Sequence, residues 1–168
     1  MKTFSKITLT FFILINVFSC ENPNPPFGQL PPITTEGKGT FGYVVDGEVQ
    51  GQCYDGLFTG LVKAEIVGDS TFKLHESCDS YSFGFFLYFD ALEVNKKYTF
   101  DNGSGVTFSK DAGDFREDFQ DTNFNLELLK VDANKKIIAG IFSGTLFNET
   151  GESVEITDGR FDLIYKEY

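Results

Sequence analysis

Tryptophan is absent from this 168-residue chain, and histidine and methionine each occur once. Proline occurs five times, at positions 23, 25, 26, 31 and 32, and never from residue 39 onward. Basic residues are few, 14 against 25 acidic ones. Each shortage excludes something. Without Trp, an interior must be built from the twenty Phe and aliphatic partners, and a common type of sugar-stacking surface is missing. A single His75 cannot complete a Cys/His metal site. It is also the only candidate base for a Ser-His-carboxylate triad, and Lys73-Leu74-His75-Glu76-Ser77 has no Gly-x-Ser-x-Gly elbow. The acidic excess repels phosphate backbones and anionic lipid surfaces, so no nucleic-acid partner is expected. A long apolar run occurs once, from Ile7 to Phe18, shorter than the roughly 20 residues a membrane-spanning helix needs.

That run has another reading. Lys2 and Lys6 precede or open it, no acid interrupts it, and Val17-Phe18-Ser19-Cys20 closes it. The layout is that of a secretory signal over residues 1–19. Its end looks like a lipobox, with an aliphatic residue at −3, a small one at −1 and then the Cys whose thiol takes the lipid. Cys20 is thus expected to be the lipid-attachment residue, carrying a diacylglycerol and palmitate-type anchor, because two or more acyl chains hold a protein firmly at a membrane. With Lys2 and Lys6 removed, the mature chain has 12 basic residues against 25 acidic ones, a balance of −13. Cys53 and Cys78 remain as an even pair in an oxidising compartment, which predicts a disulfide. Such a bridge closes a loop of about 25 residues and is worth roughly 3 kcal/mol in the chain-entropy account.

Residues 20–38 hold all the prolines outside the signal, among Asn, Gly, Thr and Gln, and read as a lipid-anchored flexible tether. Residues 39–168 read as one all-β domain. Asp46-Gly47 between Thr40–Val45 and Glu48–Cys53 is a strong hairpin signal, since both residues tolerate positive φ. Gly68-Asp69 predicts a second hairpin. Tyr81–Phe89 carries aromatics on both faces and reads as a strand buried from both sides. Lys97–Phe100 and Val106–Ser109 are expected to pair through the Asp101–Gly105 turn, and Phe124–Val131 and Ile137–Phe147 through Asp132–Lys135. Asp158-Gly159 is either a hairpin turn or a bulge within one strand. Gly140 and Gly144 inside a strand signal sharp coiling or close backbone approach. Asp111–Asp121 is the one stretch with helical spacing, Phe115 and Phe119 being four apart, and is equally readable as an acidic loop. The fold class is therefore an antiparallel β-sandwich or a small calycin-like β-barrel with at most one short helix.

Chemistry is harder to find. The acids around Arg116 (Asp111, Asp114, Glu117, Asp118, Asp121) read as a solvated face, with calcium the alternative. Asp101–Gly105 lacks the Lys-Ser/Thr ending of a phosphate loop. No catalytic residue, metal site or cofactor is expected. Sugar platforms present exposed aromatics, and the availability of tyrosines such as Tyr43, Tyr54, Tyr81 and Tyr88 keeps glycan binding open, while a Phe-lined cavity would hold a small apolar ligand.

Leu30-Pro31-Pro32, Thr34, Gly37, Thr40-Phe41-Gly42 and Val45-Asp46-Gly47 resemble the opening of a family of small uncharacterised Bacteroidetes lipoproteins. Phe142–Thr145 and Ile156–Asp162 resemble its closing strands. Tyr43 stands where that family often has Cys. The resemblance implies an all-β exported domain and no activity. The expected function is a membrane-anchored, non-enzymatic interaction or accessory domain of the bacterial envelope, at the outer membrane, with an envelope protein as partner. A lipocalin-like binder of a small apolar ligand is the alternative, and a glycan-binding or glycoside-hydrolysing protein a more distant one.

Overall fold

The computed structural model describes residues 28–51, 54–55, 58–59, 62–78, 81–100, 104–112 and 115–168; side chains are described outside 52–61 and 111–122. Cys20, Cys53 and the signal segment lie outside the described residues. No helix occurs among those described, and thus none that could cross a membrane.

The chain opens with hairpin β1 (Thr40–Val45) and β2 (Glu48–Gly51), followed by the short pair β3 (Tyr54–Asp55) and β4 (Phe58–Thr59). A meander follows: β5 (Lys63–Val67), β6 (Thr71–Ser77) and β7 (Tyr81–Tyr88). Then come β8 (Lys97–Thr99), β9 (Gly105–Ala112), β10 (Phe115–Asp132), β11 (Ile137–Phe147), β12 (Ser153–Ile164) and β13 (Lys166–Glu167). Turn chemistry explains the hairpins. Asp46 and Gly47 sit at φ 48° and 87°, the left-handed pair that a tight two-residue turn between twisted strands requires.

Hydrogen bonding links the strands in the order β13-β5-β6-β7-β9-β10-β11-β12-β1-β2, with β8 added on β10, while β3 and β4 pair separately. All contacts are antiparallel except β13 with β5. The path folds over itself into two packed layers, a β-sandwich, and among the described residues does not close into a barrel. Strand β10 serves both layers. It pairs with β9 over Phe115–Gln120 and with β11 over Gln120–Asp132. Ring contacts show the layers meeting: Phe83 of β7 stacks on Phe142 of β11 at 5.1 Å, and Phe72 of β6 meets Phe161 of β12 at 6.0 Å. Phe41, Phe85 and Phe124 complete the buried cluster, each such ring contributing roughly 1.5–3 kcal/mol by leaving water.

Several expectations are corrected. Asp111–Asp121 is neither helix nor loop: most of it belongs to β9 and β10. β8 and β9 are not hairpin partners; β8 pairs with β10, and β9 with β7 and β10. Tyr88 is 54% exposed, so the outer face of β7 is open there. Asp158-Gly159 lies inside a continuous β12, where Asp158 has φ 53° and the register against β11 slips between Phe142 and Gly144. It is a bulge. The glycine is needed there, because a Cβ on Gly159 would run into the Phe142 ring.

Candidate functional site

Cross-strand register sets side chains side by side on the outer face of the second layer. One row runs Lys97, Glu127, Ile141, Arg160, and the next pairs Asn125 with Ser143. These residues floor an open groove of about 460 Å³, walled by Ile33, Asp158 and Gly159. Its composition is mixed: two cations, two carboxylates, an amide, a hydroxyl and two Ile side chains. Arg160 is held in place. Its Nε donates to the Asp158 carbonyl at 3.0 Å, Nη2 lies 3.5 Å from the Asp158 carboxylate, and Nη1 donates to the Pro31 carbonyl at 3.4 Å.

Pro31 belongs to a strap. Asp162, 1% exposed on the outer side of β12, accepts from Thr34 Oγ1 at 2.6 Å and from the amides of Glu36 (2.9 Å), Gly37 (2.6 Å) and Lys38 (3.3 Å). Burial pushes its pKa up, but these donors outweigh it and hold the carboxyl below its usual value. Gly37 adopts φ 77°, and a Cβ there would lie 2.9 Å from Ile137, so the strap can hug the sheet only with glycine at this turn. Buried Pro31 packs over Gly42, whose missing Cβ leaves the room. The tether expected to run free to Lys38 is therefore docked from about Leu30 onward, and it supplies one wall of the groove.

A second polar feature lies inside. Along β6 the inward residues are Phe72, Leu74 and Glu76, while Lys73, His75 and Ser77 face out. Glu76 has no exposure, and among the described residues neither carboxyl oxygen has a hydrogen-bond partner. Burial pushes its pKa up to about 8; the neighbouring Tyr43 hydroxyl pulls the other way, without the two reaching bonding geometry. Burial first, and then Glu76, raise Tyr43 well above the usual tyrosine value. The same two causes push Tyr81 up to about 12, offset in part by the Gly51 N–H, which donates to the Tyr81 oxygen at 3.4 Å; the Gly51 carbonyl in turn accepts from the Tyr81 hydroxyl at 3.1 Å. Sequence reading missed Glu76, although strict alternation in Thr71–Ser77 puts it in phase with Phe72 and Leu74.

Of the residues singled out in the sequence, Cys78 follows β6 and donates its N–H to the Tyr81 carbonyl at 2.8 Å, whereas Cys53 and Cys20 lie outside the described residues. His75 is exposed, with Lys63 and Gly84 as cross-strand neighbours, neither of them the serine or the carboxylate that a triad needs. Tyr43 is fully buried, Tyr81 half-buried and Tyr88 exposed. Side chains of the Asp111–Asp121 cluster and of Tyr54 are outside the described set. Among described residues no group of three or more His, Cys, Asp or Glu could hold a metal ion. No family model matches this chain, and no curated protein or solved structure matches it significantly.

Proposed function

We propose that this chain is an exported lipoprotein, anchored through Cys20 at the outer membrane, whose β-sandwich is a non-enzymatic interaction module. Its partner is a protein of the envelope, and the strap-walled groove receives it. The observation that carries this reading is the docking of the strap. Ten residues separate Cys20 from Pro31 (21 to 30), so a lipid at Cys20 keeps the groove within about 40 Å of the bilayer. The anchor and the groove wall are one continuous segment. The interlayer space argues against a lipocalin-like binder, because it is occupied by Phe rings with centroids 5.1–6.4 Å apart. The amide, hydroxyl and charged groups of the groove favour a polar occupant, which keeps a glycan as the second reading. The Cys53–Cys78 bridge belongs to the same proposal of an exported domain.

Intact mass of the full chain from its native membrane tests the anchor. The expected product starts at Cys20, carries acyl mass absent from a Cys20→Ser variant, and gains two protons on reduction. A product without acyl mass sinks the anchor. Photo-crosslinking residues at Ser143 and, as control, at His75 test the groove. A discrete protein adduct from position 143 alone is expected. Equal labelling from both faces rejects the groove as the interface.

A further inference from the structure

We propose that Glu76 is a proton latch for the sandwich: the closed packing of β1 and β2 against β7 requires this carboxyl to be neutral, and losing its proton loosens that seam. The geometry carries the idea. A carboxylate with no exposure and no hydrogen bond would stand uncompensated beside the rings of Phe83 and Tyr43, which are 4.9 Å apart. A charge in such a place costs far more than a neutral acid.

Among the described residues, none of the groups that shift Glu76 is a cation. Tyr43 of β1 and Tyr81 of β7 are the titratable groups that couple to Glu76 among the described residues, and both are hydroxyls. Lys63 of β5 and Lys73 and His75 of β6 are exposed on the outer face. Lys110 of β9 stands opposite Tyr81 and Glu48 of β2 opposite Val45, both exposed to water. The raised pKa of Glu76, about 8, agrees with this picture. The seam is also where Tyr81 ties β7 to the end of β2 at Gly51. Opening there exposes Tyr43 and Tyr81 together.

The linkage has a definite sign. The folded state holds the proton that the unfolded state releases near its ordinary value of 4.5. Stability from this group is whole below that pH and declines as pH rises to about 8. The test is denaturant unfolding of the full chain in detergent from pH 5 to 9, read by tyrosine fluorescence, which is undisturbed because Trp is absent. The wild-type unfolding constant should rise, relative to that of Glu76→Gln, by up to about tenfold per pH unit across this window and level off above it. Parallel curves for the two proteins overturn the latch. If the Gln variant does not fold, NMR titration of the wild type labelled at glutamate carboxyls decides the question. A Glu76 signal titrating above pH 7 supports the latch, and one titrating below that overturns it.

Discussion

Asp162 and Glu76 are both acids with almost no exposure, yet their surroundings differ in the one respect that sets their chemistry. Asp162 collects a hydroxyl and three backbone amides, and stays charged; Glu76 collects none. The signs of their pH dependence are therefore opposite. For Asp162 the stabilisation is present above its unfolded value and is lost as acid titrates the lowered folded pKa. Removing the carboxylate in Asp162→Ala strands the strap amides. Charge-assisted bonds of this kind contribute roughly 1.5–3 kcal/mol each, less where water replaces the acceptor, so a net loss of about 2–3 kcal/mol is expected. Denaturant midpoints will give that figure. Limited proteolysis should show new cleavage within residues 30–38, and an uncut strap would refute its dependence on this single acceptor.

Among the elements, local chemistry was legible and distant pairing was not. Asp46-Gly47 announced its hairpin because a left-handed pair is a local property. The β8–β9 hairpin failed for the complementary reason: a Gly-rich connection looks like a turn, but β8 finds its partner at Asn125–Glu127. Phe115 and Phe119, four apart, satisfy a helix face and also the same face of a strand, so their spacing could not decide. The strap was read as free because its acceptor lies 124–128 residues away. Glu76 was legible in principle, from phase alone. For Gly144 the sequence leaves sharp coiling and close backbone approach open, and the structure shows close approach: a Cβ there would lie 2.7 Å from the Asn123 carbonyl oxygen and from Phe124 Cα. Those are backbone atoms of the adjoining β10 and cannot swing aside. Gly144→Ala should cost about 1–3 kcal/mol by overpacking, with slower formation of the β10–β11 pair. A stability within 0.5 kcal/mol of wild type would show that the two strands can separate without cost.

Seen whole, the described residues form two layers joined by the shared strand β10, by the pairing of β13 with β5 and by an aromatic cluster. Phe142 is the central ring, stacked on Phe83 of the opposite layer and on Phe41 and Phe124 of its own. Phe142→Ala should cost about 3–5 kcal/mol, measured as a lower denaturant midpoint at unchanged slope. A changed slope would mean that the layers no longer melt as one unit. The outer faces contribute less to stability, which leaves the groove and strap open to specialise.

The strap also decides how the molecule answers force. Suppose the N-terminal end is held and something pulls on the groove. The load enters at Pro31 and reaches the bonds around Asp162 before it reaches β1. Those few bonds stand ahead of the five-pair β1–β12 ladder in the path of the load. Their rupture releases about eight residues, roughly 25 Å of slack, with the sandwich still folded. Asp162 then acts as a mechanical fuse that lengthens the leash before the domain is put at risk.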